Sequence, residues 1–304
     1  MSTLGDMAKR PPTVRIKRLG VQLRKLREER DLTLDQAAAL LMISKSALNR
    51  MENAQVITRA HEVTYILMMY GVSESDDLWT SMIGLASAGR SRDWVKRHAA
   101  VGAASRANEF IRLEQDSRAV RAYEPLLVPG LLQTADYTRA VMQSVSPLPG
   151  VDIDQAVEYR MARKDALTRQ NPLKLDVVLG DTALRQRLGG RAVMRAQLMH
   201  VVDAMDCDNI NVQVFPTGTV KHPGLDGAFT MLDVEMGDFT VVLIDSRTRS
   251  ICIEDEEEVE PYRQTFRDLQ ELAYPPTESR QIIKRAAEEF DDVSNDDDSR
   301  GAMA

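Results

Sequence analysis

The 304-residue chain is about two domains long; it is 43% hydrophobic and 28% charged, with a formal net charge of −7. That composition excludes collagen, coiled coil and wholesale disorder. No apolar run approaches the roughly 18 residues of a membrane span, and the opening MSTLGDMAKRPPTVRIKRLG lacks the apolar centre of a secretory leader, so a cytoplasmic protein is expected.

The charge is unevenly divided. Residues 1–60 hold 12 Lys/Arg against 6 Asp/Glu, a balance of +6, whereas the other 244 residues hold 27 against 40, a balance of −13. A basic head on an acidic body is the asymmetry expected when one part meets a polyanion and the rest stays off it. Residues 1–18, which include KRPPTVRIKR, read as a basic arm, with Arg15, Lys17 and Arg18 facing phosphate.

From Leu19 to Arg30, the apolar residues Leu19, Leu23 and Leu26 recur at helical spacing. Thr33 suits an N-cap for a second, short helix through Leu34, Ala37, Ala38 and Leu41. Ser44 suits the cap of a third, whose Ala47, Leu48 and Met51 turn inward. Further helices are expected over about Thr58–Met69 and Asp77–Ala88, so residues 19–88 read as an all-α domain. SAGRSRD opens a linker placed at 89–103.

The third helix leaves Lys45, Ser46, Asn49 and Arg50 on one outward side. Two helices joined by a tight turn, with a polar face on the second, fit entry of that helix into the DNA major groove. Arg50 suits guanine O6 and N7, Asn49 suits adenine N6 and N7, and Lys45 and Ser46 suit bases or phosphates. Ser44 caps the helix and frees its positive N-terminus to approach phosphate. The bland alternative, a solvated helix face, loses weight beside the caps and the +6 head.

Residues 104–290 read as α+β, a mostly antiparallel sheet flanked by helices. Helices are expected over about Ala104–Ser117, Ile153–Thr168, Arg191–Met205, from EDEEEVE onward, and Ser279–Phe290. LKLDVVLG, NINVQVF, GAFTMLDVE, FTVVLID and RSICIE read as strands, with a hairpin at Met236-Gly237-Asp238. Residues 291–304 are too acidic and too poor in apolar residues to fold. Pro129-Gly130 reads as a tight helix entry with Leu131 and Leu132 buried and Thr134 or Asp136 capping; a pocket wall or partner surface is the other reading. Gly189-Gly190 reads as a turn, His222 as a loop hydrogen-bonder, and Cys207 and Cys252 as buried thiols. No catalytic, cofactor or metal constellation assembles, so neither an enzyme nor a cofactor is expected.

LRKLREERDLTLDQAAALLMISKSALNRMENAQ resembles the Xre/Cro/phage-repressor type of helix-turn-helix. The resemblance places base-reading positions on Lys45, Ser46 and Arg50 with Asn49 adjacent, and a structural ion pair on Arg27 and Glu52. The chain departs from that type twice. Leu34 stands where a glutamine usually clamps phosphate, a task that is either lost or passes to Thr33 or Gln36, and Met42 stands where the turn usually carries glycine. Residues 109–290, through YEPLLVPGLLQTADYTRA, RMARKDALTR and DTALRQRLGGRAVMRAQLMHVVD, resemble a C-terminal domain of unknown function in actinobacterial regulators, including WhiJ-like ones. The joint resemblance implies a sequence-specific regulator of double-stranded DNA. It is expected to be a homodimer whose C-terminal domain senses a small-molecule effector or a protein. The alternative is an antitoxin-like protein that holds a small partner encoded nearby and binds DNA to regulate itself.

Overall fold

The computed structural model describes residues 14–87, 110–111, 113–144, 152–234, 239–245 and 250–291. The chain divides into two compact units, Met1–Trp94 with Val234–Phe239, and Val95–Asp233 with Thr240–Ala304.

The first unit is built on five helices among the described residues: α1 (Val14–Glu28), α2 (Leu34–Leu40), α3 (Lys45–Glu52), α4 (Ala60–Met69) and α5 (Asp77–Ala86). Leu19, Leu23 and Leu26 of α1 are buried, as are Ala37, Ala38, Leu48, Val63, Ile66, Leu67 and Met82, so the apolar stripes close one core. Polar side chains start the helices. Thr33 and Gln36 form a capping box on α2, Ser44 accepts from the Ala47 amide at 3.1 Å, and Asp76 accepts from the Leu78 amide.

The helix ends follow a single rule. After each of α1, α2, α3 and α4 the chain takes one left-handed residue, at Asp31, Met42, Ala54 and Gly71. Each end carries the paired reverse hydrogen bonds of a Schellman motif. At α2, for example, the Met42 amide donates to Ala39 O and the Ile43 amide to Ala38 O. Only the fourth of these positions is glycine. Gly20 does a different job inside α1, where a Cβ would stand 2.7 Å from Glu52 O and 2.9 Å from Met51 O. Its bare backbone lets α1 lie against the end of α3.

The second unit is α+β. A six-stranded sheet runs in the order β3-β2-β1-β4-β5-β6, from β1 (Ser117–Glu124), β2 (Lys174–Gly180), β3 (Ile210–Phe215), β4 (Phe229–Val234), β5 (Phe239–Asp245) and β6 (Ser250–Ile253). The flanking helices are α6 (Ala135–Ser144), α7 (Ile153–Ala162), α8 (Asp165–Thr168), α9 (Asp181–Leu184), α10 (Arg191–Ala204), α11 (Glu256–Leu272) and α12 (Pro276–Glu289). On one sheet face, Tyr123, Val178, Phe215, Phe229, Met231 and Val242 pack with Val259, Phe266 and Leu269 of α11. The opposite face is closed too, since Ala122, Leu175, Val177 and Leu179 are also buried.

The sheet is mixed and flanked by helices, consistent with the expected α+β class. β1 pairs parallel with β2 (Ala122 opposite Val177) and β2 with β3 (Val177 opposite Val212), while β5 and β6 pair antiparallel. The cause is connectivity, because helices α6 to α8 lie between β1 and β2, and α9 and α10 between β2 and β3, the crossovers that parallel pairing needs. β1 itself is a strand that the sequence pattern does not announce. The helix expected to reach Ser117 gives way to it, and Ala and Arg residues blunt its alternation.

The helix expected over Ile153–Thr168 is broken at Arg163 and Lys164 into α7 and α8. Cys207 and Cys252 are exposed rather than buried, the first in the turn after α10 and the second on the edge strand β6. Gly189 and Gly190 hold positive φ and open α10 without a side-chain cap. His222 sits against Phe215, ring centroids 4.5 Å apart, and accepts the Gly224 amide at Nδ1. The hairpin at 236–238, residues 1–13 of the arm, the linker at 89–103 and residues 292–304 of the tail lie outside the described residues.

Candidate nucleic-acid interface

The turn between α2 and α3 aims the second helix. Leu41 is buried, Met42 turns the chain with φ +53°, and Ser44 caps α3. Inside, Leu48 fixes the rotation of α3. Lys45, Ser46, Asn49 and Arg50 are exposed together on its outer side.

That face is organised by hydrogen bonds. Arg50 Nη1 donates to Ser46 Oγ at 2.9 Å, which orients the guanidinium and leaves its other edge for an acceptor pair. Asn53 Nδ2 donates to Asn49 Oδ1 at 2.9 Å, and Arg24 Nη2 donates to Asn53 Oδ1 at 2.6 Å. The Asn49 oxygen keeps its second lone pair and its amide keeps its N–H groups, the two functions that adenine N6 and N7 require. Lys45 Nζ sits 2.8 Å from Asp35 Oδ2. Both partners are well exposed, so the pair contributes under about 1 kcal/mol and yields readily to a phosphate. Sequence reasoning missed Asp35, Arg24 and Asn53. Asp35 and Arg24 reach the polar face only once the helices cross, and Asn53 reaches Asn49 from one turn further along, at the end of α3.

The phosphate candidates divide into two groups. Thr33 and Gln36 are exposed at the N-terminus of α2. Gln36 Oε1 accepts from both the Thr33 amide and hydroxyl at 2.9 Å, which holds the Gln36 amide nitrogen outward as a donor. Arg15, Lys17 and Arg18 belong to the first turns of α1 rather than to an arm, because the helix starts at Val14. Lys17 is exposed, and the two arginines are partly buried.

Beneath the face, the structure brings Arg27 and Glu52 together. Nε donates to Oε1 at 2.7 Å and Nη2 to Oε2 at 3.0 Å, and both residues are buried. Arg27 Nη1 also donates to Leu32 O, and the guanidinium is held more firmly protonated by its hydrogen bond to Glu52 against the cost of burial. This bidentate clamp ties α1 to α3 and to the chain entering α2. Among the described residues no helix is long and apolar enough to cross a membrane, and no group of three His, Cys, Asp or Glu residues is placed to hold a metal ion.

A capped short helix, presenting oriented Ser, Asn and Arg side chains and braced from behind by the helix before it, defines a helix-turn-helix head of the DNA-binding regulator type. The helix-turn-helix domain family matches residues 18–78. Over residues 107–285, more than half its length, the chain matches the domain of unknown function DUF5753, and it belongs to that family. Neither a curated protein nor a solved structure matches it.

Proposed function

We propose that the protein is a sequence-specific transcriptional regulator of the Xre/Cro type, and not an enzyme, whose second unit senses a small molecule and sets DNA affinity. It binds as a homodimer, reading two half-sites about one helical turn apart with the outer face of α3. The observation that carries this reading is the hydrogen-bonded arrangement of Ser46, Asn49 and Arg50 on an exposed, capped helix. The division of charge supports it, since a +6 head attracts DNA and a −13 body repels it.

The test is fluorescence anisotropy of the full chain on duplexes taken from upstream of its own gene and of neighbouring genes. Nanomolar to micromolar binding to one of them is expected at modest salt, against weak binding to random duplex. Arg50→Ala is expected to lose about 1 to 3 kcal/mol on that duplex and little on random DNA. Equal losses on both would remove Arg50 from base reading. Failure to bind any of these duplexes would end the proposal.

A further inference from the structure

A cavity of about 350 Å³ opens in the second unit at the carboxyl end of β1. It lies on the sheet face turned away from α11, because Val120, Ala122 and Glu124 alternate with Tyr123, which packs toward that helix. One wall is the PGLLQT element. Leu131 and Leu132 are buried, and the Tyr137 hydroxyl accepts from the Val128 amide. Gln133 donates to Val128 O at 2.7 Å, accepts the Thr138 hydroxyl at 3.0 Å, and accepts Arg160 Nη1 at 2.9 Å. The buried glutamine therefore holds Arg160 in place at the cavity wall.

Charges line this cavity, and they are not all satisfied in the same way. Arg163 closes bidentately on Glu114, at 2.9 and 2.7 Å, and that pair is complete. Among the described residues the Glu124 side chain has no hydrogen bond or ion pair, and the Arg160 guanidinium is hydrogen-bonded only to Gln133. Opposite charges lining one desolvated space attract strongly, yet these two do not meet. Burial, with help from Asp245 and against the pull of Arg160, raises the Glu124 carboxyl to about 7. Burial, with help from Arg163, lowers the Arg160 guanidinium to about 10, which leaves it charged at neutral pH. Leu127, Val128, Val141 and Leu175 add apolar surface to the same cavity.

We infer that this cavity binds a small zwitterion of amino-acid size, whose ammonium group meets Glu124 and whose carboxylate meets Arg160. A ligand with only a cation would leave Arg160 unmatched, and one with only an anion would leave Glu124 unmatched. The volume falls near the lower end of the roughly 300 to 1,000 Å³ of small-molecule pockets, which suits a compact ligand with a modest apolar side chain. A free carboxylate gains a forked partner in Arg160. The inference deepens the sensor reading and rests on it only for what the ligand does to DNA binding.

The experiment uses the full chain, with melting temperature and calorimetric titration as readouts. The probes are the standard amino acids, their methyl esters and their N-acetyl derivatives. At least one free amino acid is expected to raise Tm and to titrate, while its ester and its N-acetyl form bind about tenfold or more weakly. Glu124→Gln and Arg160→Gln, checked for an intact melt, are expected to lose affinity by a similar factor. The site is overturned if no free amino acid shifts Tm at about 10 mM, where even a weak ligand stabilises by mass action. It is equally overturned if esters or N-acetyl forms bind as well as the parent, a comparison that needs no variant. Anisotropy on promoter DNA, run in parallel, separates the two ideas. Retained DNA binding without amino-acid binding sinks the zwitterion site alone, and amino-acid binding with unchanged DNA affinity sinks the sensor alone.

Discussion

Met42 holds a left-handed backbone at φ +53° while its side chain is 86% exposed. A residue with a Cβ is strained there by roughly 1 to 2 kcal/mol, and an exposed side chain returns little through packing. Met42→Gly removes the strain but loosens the unfolded chain, which offsets roughly 0.5 to 1 kcal/mol of the gain. The expected net effect is stabilisation of up to about 1 kcal/mol in urea denaturation, with α3 unmoved. A clear loss of stability would show that the strain is illusory. The same residue marks a limit of the sequence. Thr33 and Ser44 are legible as caps because a side-chain oxygen before an apolar run has one obvious use. The stops after α1, α2 and α3 are not legible, because Asp31, Met42 and Ala54 occupy positions where glycine is the usual clue.

Helices α1 and α3 are joined twice, by the buried Arg27–Glu52 clamp and by backbone contact at Gly20. An exposed glycine in mid-helix is normally improved by alanine, by roughly 0.5 to 1 kcal/mol. Here the sign reverses, since the new methyl would press on Glu52 O and Met51 O, backbone atoms that cannot rotate away. Gly20→Ala is expected to destabilise by about 1 to 3 kcal/mol and to weaken DNA binding by shifting α3. Chemical denaturation and anisotropy check both effects, and a more stable variant would refute the contact. Periodicity located α1 to α5 because each has one apolar stripe. It missed β1, where Ser117, Ala119, Ala122 and Arg121 carry too little apolar contrast although the strand is covered on both faces. It did not give the parallel pairing of β1, β2 and β3 within the α+β sheet, because that pairing follows from crossovers rather than from any residue pattern.

At the scale of the whole molecule, the division into a basic head and an acidic body needed only a count of charges. The convergence of Glu114, Glu124, Arg160, Arg163 and Asp245 on one cavity needed the topology, because they arrive from the segment before β1, from β1, from α7 and its end, and from β5. That convergence makes stability depend on pH. Burial first, and then Asp245, raise Glu124 from an ordinary 4.5 to about 7 against the attraction of Arg160, with Tyr137 also within its field. A carboxyl raised on folding binds its proton more tightly in the native state. Its contribution is therefore fully present below about pH 4.5, falls as pH climbs through 4.5 to 7, and is gone above 7. Glu124→Gln, which cannot ionise, is expected to be more stable than the parent at pH 8 by about 2 to 3 kcal/mol and to lose that advantage near pH 4.5. Urea midpoints of both proteins across this range provide the measurement. Parallel pH curves would mean that Glu124 titrates normally and that the cavity does not hold it in the neutral form. The same ionisation bears on the ligand, since only the carboxylate attracts an ammonium group. Zwitterion affinity is therefore expected to rise between about pH 6 and 8, opposite in direction to the stability of the empty protein, and Glu124→Gln is expected to flatten both slopes together.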